Sequence, residues 1–166
     1  MRHKRSLIGA ISALILVLTA GVTAGSAQAA APLDQGGAGQ VLRVPAAPAG
    51  AAVASGQGLA ATTPAVSPSA TYRHMQPGSS FRCSSGALCT GVWDPTTSDW
   101  KVFFLTICAR YSLSYWGGTG FYANNQTGSP TSTFYDSSGN AIKSFKPFSG
   151  LRYQDWNPVW SIRNCS

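Results

Sequence analysis

Every aromatic residue of this chain lies at or after Tyr72, and every cysteine at or after Cys83. A folded core needs large apolar side chains, and a small core often needs covalent ties as well. Both resources are confined to the second half of the 166 residues, so the first half has to be something other than an ordinary domain. The acidic residues are five Asp and no Glu, and the only histidines are His3 and His74. Neither histidine lies between the first and last Cys. That spacing excludes a His-dependent triad or a multi-His zinc centre from the cysteine-bounded region.

The N-terminus has the three-part layout of an export signal. Arg2, Lys4 and Arg5 form a basic start, Leu7 to Val22 is apolar apart from Ser12 and Thr19, and Ala27-Gln28-Ala29 supplies small residues for cleavage. The apolar run is barely long enough to span a bilayer. The small-residue site after it favours a signal peptide over residues 1–29 rather than an anchor. The expectation is a secreted, extracellular protein, not held in a membrane once the signal is removed. Its four Cys are then read as disulfides.

Ala, Gly and Pro make up about half of residues 30–80. Such a stretch buries too little apolar surface to offset its ordering entropy, and its prolines interrupt any helix that Ala favours. It reads as a disordered linker or pro-segment, a flexible spacer ahead of a domain at 81–166.

From Phe81 onward short apolar runs alternate with Gly, Ser, Asn and Pro, the rhythm of strands joined by turns. Phe103, Leu105, Ile107, Ala109, Tyr111, Leu113 and Tyr115 recur at a period of two, which predicts one long half-buried strand. Ser132 to Asp136 and Asn140 to Lys146 flank Ser137-Ser138-Gly139 and predict a hairpin. The region is therefore expected to be all-β. Four Cys pair in three ways. The short loop between Cys83 and Cys89 favours that pair, leaving Cys108–Cys165 to pin the C-terminus. The spacing argues against a four-Cys zinc site.

A weak internal repeat divides the region. Val92-Trp93-Asp94 matches Phe134-Tyr135-Asp136 at an offset of 42 residues. Trp116 matches Trp156, and Asn124 matches Asn164, at an offset of 40. Two halves, each too small to hide its own face, suggest two Greek-key motifs packed into a β-sandwich.

These residues resemble the βγ-crystallin superfamily. "FYDSSGN" is similar to the first hairpin of such a motif, and "DWNPVWSIRNC" to its closing strand. "CSSGALC" and "YSLSYWGGTGFYANNQTG" resemble small secreted bacterial proteins grouped with crystallin-fold inhibitors of metallopeptidases. The resemblance spans residues 83–165. It implies a disulfide-stapled, crystallin-like sandwich and a protein that inhibits an extracellular peptidase.

Little catalytic chemistry is on offer. Asp94 and Asp136 occupy equivalent turn positions, where Asp is favoured for its local backbone bonds. Serines lack a placed base, so no enzyme and no cofactor are expected. Crystallin calcium loops use paired Asn/Asp, whereas here Pro158 follows Asn157 and "WGGTGF" carries no carboxylate. Calcium needs six to eight oxygen ligands, so no metal site is expected. Trp116 and Trp156 are assigned to the core, and Trp93, Trp100 and Trp160 are less constrained. The basic surplus makes an anionic cell-wall polymer a conceivable partner. No nucleic-acid motif is present.

Inhibition would need an ordered projecting loop. Residues 94–99 form one candidate. The connector of the two halves is preferred: Asn124, Asn125, Gln126, Thr127, Gly128, Ser129, Pro130 and Thr131. None of these ligates zinc strongly, so blockage would be substrate-like. The alternative is a cell-surface or wall-associated binding module, whose wet face would carry aromatic and basic residues together.

Overall fold

The computed structural model describes residues 39–51 and 61–166. Twelve strands and no helix occur among them. The central hairpin is β5 (Leu88–Asp94) with β6 (Asp99–Leu105). The chain then crosses to a second sheet as β7 (Arg110–Ser114) and returns as β8 (Thr119–Asn124), which pairs with β5. The second half repeats this path. β9 (Ser132–Tyr135) and β10 (Ala141–Phe145) form a hairpin. β11 (Arg152–Asp155) crosses to pair with β8, and β12 (Ser161–Arg163) returns to lie between β9 and β7. Each half is a Greek key whose third strand is exchanged into the other half's sheet, the crystallin-like sandwich. The predicted hairpin at 132–146 is present, and the disulfides are Cys83–Cys89 and Cys108–Cys165. Two such bonds are typical of proteins in an oxidising compartment.

The exchange works because each half leaves an apolar face that only the other half covers. Leu88, Phe103, Tyr111, Tyr122, Phe134, Trp156 and Ile162 fill the space between the sheets. Trp116 and Trp156, matched in the repeat, meet edge to face at 5.0 Å. Such a pair adds roughly 0.5–1.5 kcal/mol beyond area burial. Asn124 and Asn164, also matched, are both buried. Asn124 donates to Ser132 Oγ and Asn164 to the Leu105 carbonyl, which ties strand ends across the sandwich.

Two expectations need correction. The first is the single strand over 103–115. It is two strands in different sheets, and Ile107 between them is 63% exposed. The alternation is continuous because both strands present one face to the same core; the crossover merely keeps the phase. The second is the start of the ordered fold at Phe81. β1 (Gly39–Arg43) pairs antiparallel with β4 (Ser80–Ser84). β2 (Ala65–Ser67) extends the second sheet beyond β7, and β3 (Thr71–Met75) extends the first beyond β6. Average composition hid these runs, since an edge strand is held largely by backbone hydrogen bonds and needs few large side chains. Residues 1–38 and 52–60, which include the signal-peptide reading, lie outside the described residues.

The β1–β4 ribbon has a further role. β5, β6 and β8 turn Cys89, Trp100, Val102, Phe121 and Ala123 to the outside of the first sheet. The ribbon covers them with Val44, Phe81 and Cys83, making a second apolar core.

Candidate functional site: an aromatic cleft

The β5–β6 hairpin sets the register of the site. Trp93 and Trp100 are directly opposed across the strands, on the outer face, and meet edge to face at 5.5 Å. Tyr153 on β11 pairs with Phe121 of β8, which puts it on the same outer face. Tyr115, just beyond β7, adds a fourth ring. These four rings, with Gly117 and Gly118, line a cleft of about 730 Å³. Ligand clefts generally fall between roughly 300 and 1,000 Å³.

The remaining wall is the chain that leaves β1. Val44 donates to the Ser79 carbonyl, and Trp100 Nε1 donates to the Pro45 carbonyl at 3.2 Å. The chain then turns at Pro48, whose carbonyl accepts from Ala51. Pro45, Ala46 and Pro48 thus form an apolar side to the cleft. Among the described residues no charged side chain lines it, although the whole chain carries a formal +7.

Two features set these rings apart from ordinary surface residues. Tyr115 has φ of 62°, in the left-handed region, while its side chain is 68% exposed. That conformation costs a non-glycine residue on the order of 1–2 kcal/mol, and no burial of the ring offsets it. Trp93 Nε1 is buried and has no hydrogen-bond partner. A smaller hollow of about 320 Å³ shares Tyr115 and reaches Trp160, which is 58% exposed.

The loop chosen from the sequence is built differently. Asn124 is buried, and its Oδ1 accepts from the Gln126 amide. Asn125 donates to the Cys83 carbonyl and accepts from Gln40. Gln126 accepts from Ser132, and Thr131 exchanges hydrogen bonds with Ser166. Pro130 is half-buried. Only Thr127, Gly128 and Ser129 are exposed, and the last two have φ of 77° and 56°. The loop is anchored at both ends, but its free part is a tight three-residue tip. The 94–99 turn is likewise closed on itself. Asp94 is buried, accepts from both the amide and hydroxyl of Thr96, and accepts a short hydrogen bond from Thr63.

Two further carboxylates also serve turns. Asp136 accepts from the amides of Ser138 and Asn140, and Asp155 from that of Asn157. Hydrogen bonding to Asn140, above all, holds the Asp136 carboxyl below its ordinary value. Burial pushes Asp94 up, but hydrogen bonds from Thr63 and Thr96, with the Lys101 charge, outweigh it and hold the carboxyl low. His74, which precedes the first cysteine, reaches Asp99 through Nδ1 at 2.8 Å. Thr97 bonds both groups, so hydroxyl and carboxylate meet the same ring nitrogen. A relay of nucleophile, base and orienting acid would need them on opposite nitrogens. Among the described residues no three His, Cys, Asp or Glu side chains gather as a metal site.

Basic side chains lie over aromatic faces: Lys101 over Tyr72 at 4.1 Å, Arg110 over Tyr135 at 4.1 Å, and Arg152 over Phe148 at 3.9 Å. The cleft residues Tyr115 and Tyr153 were obscured in the sequence. Tyr115 ends an alternating run that reads as half-buried, and Tyr153 falls, at the repeat's offset of 40 residues, opposite Leu113, which packs against the core. The signal available was the Gly117-Gly118 pair beside Tyr115, which reads as a turn. Comparison of the chain with protein-family models, with curated proteins and with solved structures finds no match.

Proposed function

We propose that the chain is an exported, non-catalytic binding protein that holds an extended extracellular ligand in the aromatic cleft. The observation that carries this reading is Tyr115. A bulky side chain kept in a left-handed backbone conformation, exposed, and lining the same concavity as Tyr153 and Trp93 is what a binding site tolerates and a plain surface does not. The paired basic and aromatic side chains elsewhere on the surface fit the same class, a module that works at the cell surface or wall. Asp94, Asp136 and Asp155, engaged in their own turns, favour binding over catalysis.

Inhibition of an extracellular peptidase is the second reading. Its support is the loop 124–131, whose hydrogen bonds at both ends supply the pre-ordering an inhibitor needs. The two readings use different surfaces and separate cleanly. Purified secreted protein is titrated against wall polymers and against metallo- and serine peptidases, with Tyr115→Gly, Tyr153→Ala and Gly128→Pro variants. Loss of polymer binding in the tyrosine variants alone supports the cleft. Peptidase inhibition that survives them, but not Gly128→Pro, favours the inhibitor and sinks the cleft reading.

A further inference from the structure

The walls of the cleft carry information about what it takes. Its outer wall is a proline-rich piece of this chain, Pro45-Ala46-Ala47-Pro48, laid against Trp100. The contact has a specific form: the indole N–H donates to a proline carbonyl. Proline has no N–H and a fixed φ, so a proline-rich segment offers carbonyl acceptors with no partners of their own and loses little entropy on binding. Aromatic-lined grooves bind such segments through ring faces and indole or hydroxyl donors.

We infer that the cleft accepts a second segment of this kind: an uncharged, proline-rich peptide in extended form, lying alongside residues 45–51. The inference rests on the binding reading above and names its ligand class. Three observations favour it. The lining is free of charge on a basic chain, so neither a cationic nor an anionic ligand is selected. Trp93, edge to face with Trp100, lines the cleft beside it, so two indoles flank the proline segment. Tyr115 and Tyr153 add exposed rings to the same lining. A neutral glycan would also stack on rings, but it needs many polar edges to satisfy its hydroxyls. Thr119 is the one aliphatic hydroxyl in the lining.

The test follows the indole N–H signals of the full secreted chain by NMR during titration. The probes are acetyl-(Pro-Ala-Ala)4-amide, the same peptide with Ser for Pro, and a neutral N-acetylglucosamine hexamer. The proline peptide is expected to shift the Trp93 and Trp100 signals saturably and to bind at least tenfold more tightly than the serine peptide. Tyr153→Ala and Tyr115→Gly are expected to weaken it at least tenfold, with unchanged dispersion elsewhere reporting an intact fold. Equal binding of the serine peptide, or a response to the hexamer alone, overturns the inference and leaves the cleft as a binding site. If no probe moves either indole signal, both the inference and the cleft reading fall.

Discussion

Gly120 sits where three elements meet. A side chain there would run into the Gly91 carbonyl on β5 and the indole of Trp156, which itself donates to that carbonyl at 2.9 Å. The absence of a Cβ is therefore what lets the Trp156 ring close over the sheet. Gly120→Ala is expected to destabilise the protein by about 2–3 kcal/mol through overpacking, read as a drop in the denaturant midpoint at constant slope. Gly128, with φ of 77° but open space around it, should lose only about 1 kcal/mol on the same change, from backbone strain alone. Asp94 gives a pH-dependent counterpart. Its folded carboxyl titrates below the ordinary 3.8, so the stability it contributes is present at neutral pH and is lost as pH falls through the folded value. Asp94→Asn is expected to cost about 1–2 kcal/mol at pH 7 and to flatten the acid limb of the stability curve below about pH 4. Equal acid sensitivity in variant and parent would show that Asp94 does not set that limb.

At the scale of elements, the strands before Phe81 decide how the first sheet is finished. Without β1 and the residue after it, Leu42 and Val44 are lost from the cover over Trp100, Val102 and Phe121, and without β3 the edge of β6 would be bare. Each large apolar side chain returned to water costs about 1.5–3 kcal/mol, and a small domain has roughly 5–15 kcal/mol in all. A chain beginning at Phe81 is therefore expected to unfold well below one beginning at Gly39, by at least 10 °C, and to bind a hydrophobic dye. Equal melting temperatures would remove β1–β3 from the cooperative unit. These strands illustrate the limit of reading from composition. Strands whose partners share one buried face, such as β9 with β10, announce themselves by alternation and a turn. β1 and β3 carry Gln40, Arg43, Arg73 and His74, and they are ordered by pairing with distant strands rather than by their own apolar content.

Across the whole molecule, the repeat made the double Greek key legible, because two of its matched pairs join the halves: Trp116 against Trp156, and Asn124 and Asn164 at the strand ends. The cleft was not legible in the same way. It lies off that centre and depends on the non-repeated strap at 45–51, which has no counterpart in the second half. The covalent ties, by contrast, follow from spacing, and their consequences differ with loop size. Cys83–Cys89 closes a separation of 6 residues within the ribbon and its neighbour, and Cys108–Cys165 one of 57, from the start of β7 to the end of the chain. Restricting the unfolded chain by loops of these lengths is worth about 2 and about 4 kcal/mol respectively in the chain-entropy treatment. Cys108 is exposed while Cys165 is nearly buried, so substitution at the pair loses little packing beside the crosslink. The double variant Cys108→Ser, Cys165→Ala should then lose about twice as much stability as Cys83→Ala, Cys89→Ala would from its crosslink alone. The second pair lies within the outer core, so its packing loss has to be separated from the crosslink. Measuring each variant in oxidised and reduced form does this, since each keeps one disulfide and reduction removes that crosslink while leaving its sulfur atoms. If reduction of the long-loop bond costs no more than reduction of the short one, the C-terminal strand is held by its pairing with β7 and β9, and the tie at Cys165 is incidental to the fold.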